Sequence, residues 1–129
     1  MREQMQAYAR VAQQTASPRE LEAQLLLRAA ARLQTAAENE AADQIETLAA
    51  LRYNRRLWTV LLGAVTNNDN PLPQAVRQSI ANLALFVLKH SLQLEGEPRR
   101  EKFPLLVSIN REIAAGLRGA TPAPVQPAS

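Results

Sequence analysis

The stretch from Pro73 to Leu94, PQAVRQSIANLALFVLKHSLQL, constrains this chain more than any other. Its apolar residues recur with the period of an α-helix: Val76, Ile80, Leu83, Val87 and Leu94 form one stripe. Ala84, Leu85, Leu88 and Leu92 carry that face round one flank, and Phe86 extends it on the other. Only a wedge of Gln78, Asn82, Lys89 and Gln93 stays polar. At a rise of ~1.5 Å per residue such a helix is about 30 Å long, the diameter of a small domain. So little polar surface predicts that other helices cover most of it, which would make it the central rod of a bundle. The densest apolar run, Ile80 to Leu88, falls short of the roughly 20 residues a bilayer requires. Arg77, Lys89 and His90 close it off, so a buried helix is expected and not a membrane span.

The rest of the chain points the same way. Hydrophobic residues make up 47% of the 129, enough for a real core, and runs of β-branched and aromatic residues that would favour strands are absent. An all-α fold is expected, as a single helical bundle of four main helices with a short helix or arm ahead of them. A net charge of +3 is too small to indicate nucleic acid by itself. There is no cysteine, hence no disulfide framework and no thiolate chemistry. MREQMQAYAR lacks an apolar core of signal-peptide length, and a cytoplasmic protein is expected.

Three regions follow from the punctuation. Residues 1–16, with Met5, Tyr8 and Val11 three apart, read as an arm or short helix whose order depends on packing. Residues 17–118 read as the bundle, and 119–129, rich in Pro and Ala and without charge, as a disordered tail. Ser17-Pro18-Arg19-Glu20 opens the first main helix: Ser17 as cap, Pro18 in the first turn, Glu20 as the reciprocal half of a capping box. Leu21, Leu25, Ala29 and Leu33 are its expected buried stripe, widened by Leu26 and Ala30, with Leu27 at the edge. A second helix is expected from about Ala42 to Val65, its stripe running through Ile45, Leu48, Leu51, Trp58, Leu61, Leu62 and Val65.

Asn67-Asn68-Asp69-Asn70-Pro71 is a turn, because Asn and Asp accept bent backbone and proline stops a helix. It lacks the Gly and the closing Glu of a calcium loop. Gly96 and Pro98 should end the long helix, with Gly96 as its C-terminal cap. The last helix should begin near Arg100, since Pro104 is tolerated only in a first turn, and bury Phe103, Leu106, Val107, Asn110, Ile113 and Leu117.

Chemistry-bearing residues are few. His90 is the lone histidine, without a cysteine or second histidine to share a metal, and no glycine-rich phosphate cradle occurs. No enzyme, metal, cofactor or small-molecule substrate is expected. Arg52, Arg55 and Arg56, three and four apart, read as one basic cluster. Asn54 and Asn110 each interrupt an otherwise apolar stripe, which suggests buried amides that bond to one another and set the helix register.

Asn54-Arg55-Arg56-Leu57-Trp58, the Asn-rich loop with Leu72-Pro73, the long apolar helix and the later Ile109-Asn110 occur in the order seen in the FlaF family. The chain resembles that family over roughly residues 45–119, and more loosely over its N-terminal third. The resemblance implies a flagellar biosynthesis protein that acts on flagellin in concert with the regulator FlbT. A bundle with wide apolar faces can hold a partner's amphipathic helix. One reading is therefore a cytoplasmic chaperone that binds the terminal amphipathic helices of flagellin and supports its synthesis and secretion. The alternative is a post-transcriptional regulator acting with FlbT or on flagellin mRNA, without holding flagellin. A purely structural helical adaptor is a third. The motif match assigns partner binding to Asn54, Arg55, Arg56 and Trp58, with Asn110 in second rank and Arg52 joining through the basic cluster. Trp58 and the two asparagines equally suit a core role.

Overall fold

A computed structural model of the chain describes residues 17–39 and 43–119, together with Arg2 and Gln4. The expected N-terminal arm and C-terminal tail lie outside the described residues, apart from those two positions and Gly119. Within the described residues there are four α-helices and no strand: α1 Pro18–Glu38, α2 Gln44–Thr66, α3 Gln74–Gly96 and α4 Phe103–Gly119. A single 3-10 turn, Arg100–Lys102, leads into α4.

Local chemistry explains where each helix begins and ends. Ser17 caps α1, its Oγ accepting from Glu20 N–H at 3.1 Å, and Pro18 stands in the first turn, where its missing N–H costs nothing. Glu20, expected to complete a capping box, holds a distant partner: Arg118 Nε and Nη2 donate to its carboxylate at 3.0 and 2.9 Å. Asp43 caps α2 through Ile45 N–H at 3.1 Å. The Asn-rich turn is built as its composition suggests. Asn67 Oδ1 accepts from Asp69 N–H and Asn70 Oδ1 from Leu72 N–H, while Asn70 Nδ2 donates back to the Ala64 carbonyl. Gly96 differs from expectation. It is the last helical residue of α3, no glycine among the described residues has a positive φ, and the cap passes to Glu97, whose N–H donates to Gln93 O at 3.0 Å.

The buried positions alternate by three and four along every helix, the spacing of bundle seams. They are Ala23, Leu26, Ala30 and Leu33 in α1; Leu51, Asn54, Trp58, Leu61 and Val65 in α2; Ile80, Ala84, Val87, Ser91 and Leu94 in α3; and Phe103, Leu106, Asn110 and Leu117 in α4. The most extensive backbone packing is between α1 and α4, then between α2 and α3, and third between α1 and α2. Ala23 and Ala30 on α1 present little more than a methyl group to the seam and allow that first pair to pack tightly.

Three expectations are corrected. The long apolar helix is not the central rod. Its backbone packs closely on α2 alone, and Val76, Leu85, Phe86 and Leu92 stay exposed. On α1 the expected face holds at Ala29 and Leu33 and at the widening Leu26 and Ala30, all buried, but fails in the first half, where Leu21 and Leu25 are exposed. Ile45, expected at the head of the α2 stripe, is 73% exposed, because the buried face at that end of the helix runs through Thr47 and Ala50 instead. In α4, by contrast, every expected residue is buried or half-buried.

Candidate functional site

The motif residues divide into an interior set and a surface set. Trp58, Asn54 and Asn110 are fully buried and connected. Trp58 Nε1 donates to Asn110 Oδ1 at 2.9 Å, and Asn110 Nδ2 donates to Asn54 Oδ1 at 2.7 Å and to the Leu26 carbonyl at 3.2 Å. The indole N–H can only donate, which fixes the orientation of the Asn110 amide: oxygen toward α2, nitrogen toward Asn54 and α1. One side chain of α4 thus ties three helices together, and the large indole spans the gap between α2 and α4, whose backbones do not approach closely. The interior amide contact expected from the sequence is present. The other donor of the cluster, Asn54 Nδ2, is buried without a partner among the described residues. With the bundle closed, these three side chains meet no solvent. They set the helix spacing on which any surface depends.

The three arginines do not form one cluster. Arg55 Nε donates to Glu95 Oε2 at 2.6 Å and its Nη2 to Oε1 at 3.2 Å. Arg52 Nε lies 3.5 Å from the same carboxylate. Glu95, with its side chain only 13% exposed, therefore gathers two guanidinium groups at the C-terminal end of α3, and hydrogen bonding to it raises the Arg55 guanidinium above its ordinary value. Arg56 is exposed, and the contacts to Glu95 are made by Arg52 and Arg55. Spacing in sequence could not show the division, because the acid that causes it lies 40 residues downstream.

The same junction marks one end of an apolar surface that the motif search missed. At its other end Arg77 Nη1 donates to the Asn67 carbonyl at 3.3 Å, closing the turn between α2 and α3. Between these two markers, one flank of α3 carries Ala81, Leu85, Leu88 and Leu92 at helical spacing. Leu85 and Leu92 are 60% and 59% exposed, and Ala81 and Leu88 are half-buried. Ala81 and Leu88 also pack against the buried core. Its signal in the sequence is the excess apolar face of residues 73–94, which is the same whether such a face is covered or open. The result is a ridge of aliphatic side chains about three turns long with arginines at both ends. Chemically it suits a helix with one apolar face and carboxylates nearby. Among the described residues no group of His, Asp and Glu is placed to hold a metal ion, and no helix is long and apolar enough to cross a membrane.

The described residues thus form a small four-helix bundle with a polar tie in its core and an apolar ridge on α3. The chain is a member of the FlaF family, whose description reads flagellar protein FlaF and whose model matches residues 4–117. No curated protein and no solved structure matches it.

Proposed function

We propose that this flagellar protein is a chaperone of flagellin, holding a terminal amphipathic helix of the unassembled subunit and so supporting its synthesis and secretion. The observation that carries the proposal is the α3 ridge: Leu85 and Leu92 remain more than half exposed on a helix whose composition is that of an interior element. Exposed apolar surface of this kind is costly to keep unless it is used. Terminal flagellin helices pack against one another in the filament core and need cover beforehand. The ridge offers apolar contact along its length, with Arg52 and Arg55 at one end for an acidic group on the client. Asn54, Trp58 and Asn110 act from the interior, by keeping α2 at the distance from α4 that leaves α3 at the edge. No bond is made or broken. The cycle needs only an affinity tight enough for capture and weak enough for release at the export gate, a cytoplasmic task that FlbT shares.

Co-expression with flagellin followed by size-exclusion chromatography tests this. A stoichiometric complex is expected, lost when the flagellin terminal helices are removed and lost in Leu85→Lys/Leu92→Lys. Each of those exposed substitutions should change stability by less than about 0.5 kcal/mol. A complex that survives the double substitution in a folded protein excludes the ridge. No complex between two folded partners excludes chaperoning and favours the regulatory role, through FlbT or flagellin mRNA.

A further inference from the structure

The opposite side of α2 carries a second surface with different chemistry. Its position is fixed by one contact: the Arg32 guanidinium of α1 sits 4.9 Å from the centroid of the Tyr53 ring of α2. That contact identifies which flank of each helix lines the outer α1–α2 groove. Counting back along α1 from Arg32 at helical spacing, the same flank carries Arg28, Leu25 and Leu21. Counting forward along α2 from Tyr53, it carries Arg56, Leu57 and Val60. The two helices are antiparallel neighbours, so these two lists face each other. Leu21, Leu25 and Val60 are 43%, 36% and 67% exposed, and Leu57 is half-buried. Toward the α1–α2 connection the groove continues into a cleft of about 410 Å³ walled by Arg32, Ala36, Ala49 and Glu46.

The charges on this groove favour one sign. Arg28, Arg32 and Arg56 are exposed beside the aliphatic floor, and among the described residues that wall the cleft Glu46 is the one carboxylate. The basic groups of the α3 ridge differ in being neutralised in part by Glu95. We infer that the α1–α2 groove is a second docking surface, and that its occupant is an acidic amphipathic helix of a protein partner, leucines on the floor and carboxylates against Arg28, Arg32 and Arg56. A polynucleotide would also answer the arginines, but it has no use for Leu21, Leu25 and Val60. The aromatic ring it could stack on, Tyr53, already carries Arg32. A second copy of the chain offers no complementary surface in α3, where Glu95 is committed to Arg55. The inference rests on the bundle geometry and stands whether or not flagellin occupies the α3 ridge.

The test uses the full ¹⁵N-labelled chain and two synthetic helical peptides of about 20 residues, long enough to hold helix when bound. Both carry the same leucine stripe, one flanked by Glu and the other by Lys. The Glu peptide is expected to shift the amide signals of Leu21, Leu25, Tyr53 and Val60, and to leave those of Leu85 and Leu92 in place. Arg28→Glu/Arg56→Glu should weaken its binding at least about tenfold, and Val60→Asp should do the same through the floor, each with unchanged far-UV circular dichroism. Raising the salt concentration should weaken binding of the Glu peptide. Equal binding of the Lys peptide overturns the inference. So does a response confined to the α3 ridge, or no response to either peptide. Displacement of the Glu peptide by a single-stranded RNA of about 20 nucleotides would reassign the groove to nucleic acid. Concentration-dependent shifts of the same signals without peptide would reassign it to a second copy.

Discussion

At the scale of single residues, the decisive feature is the unequal share that two buried amides take in one network. Asn110 makes three hydrogen bonds, to Trp58, Asn54 and the Leu26 carbonyl, whereas Asn54 makes one and leaves its own Nδ2 unpaired. A buried polar group stripped of its partner costs about 1–3 kcal/mol. Asn110→Ala orphans the indole N–H of Trp58 and should destabilise the fold by about 2–4 kcal/mol. Asn54→Ala removes an unpaired donor along with the bond and should cost no more than about half as much. Urea titrations of the two variants check the ranking. The double variant should show a coupling above about 0.5 kcal/mol, and strict additivity would contradict the direct contact. Both asparagines were legible in the sequence as polar breaks in apolar stripes. Which of them is the hub was not, because that depends on the donor-only Trp58 N–H meeting one amide and not the other.

At the scale of elements, α1 and α3 show opposite ways in which an apolar helix can be used. The α1 seam is built on small residues: Ala23, Ala29 and Ala30 are at most 1% exposed, and the helix packs most extensively on α4. Ala30→Leu therefore forces extra volume into that interface and should cost about 1–3 kcal/mol, read as a lower urea midpoint at unchanged slope. Leu21→Ala, on the exposed flank of the same helix, should stay within about 0.5 kcal/mol of the parent. The sequence places Leu26, Ala29, Ala30 and Leu33 of α1 correctly in the buried face but not the exposed Leu21 and Leu25, which share the same periodicity. In α3 the periodicity gives helix boundaries correct to two residues but overstates the burial, since a face awaiting a partner and a face already packed use the same side chains.

At the scale of the whole molecule, two ion-paired contacts and one arginine–amide hydrogen bond clasp the bundle at its ends and edges. Arg118 on Glu20 joins the end of α4 to the start of α1, Arg111 with Gln34 joins the same helices further along, and Glu95 joins α3 to α2. Hydrogen bonding from Arg118 holds the Glu20 carboxyl below its ordinary value of 4.5. A carboxyl lowered in the folded state contributes stability that is present above its unfolded value and is lost as the pH falls through its folded one. Thermal melts should therefore show Glu20→Gln below the parent at neutral pH and convergence of the two once the pH is well under 4.5. The effect should be small, because the pair is exposed and screened. A constant difference at all pH values would mean that the clasp does not titrate. Glu22, half-buried two residues on, is raised by desolvation and opposes this trend, so the variant and not the parent's raw acid profile is the informative measurement.

The all-helical class, the helix order and two of the three connections, the Asn-rich turn and the Gly96–Pro98 break, were determined by the sequence, because periodicity, caps and proline punctuation are local properties that need no partner. Family membership, too, was readable from the Asn-Arg-Arg-Leu-Trp run with its flanking motifs. Tertiary structure alone decided which face of α1 turns inward, that the longest apolar helix stands at the edge, and that Arg55 answers Glu95. Those outcomes depend on distances between segments tens of residues apart. A hydrophobic stripe records that something must cover it, but not whether the cover belongs to its own chain.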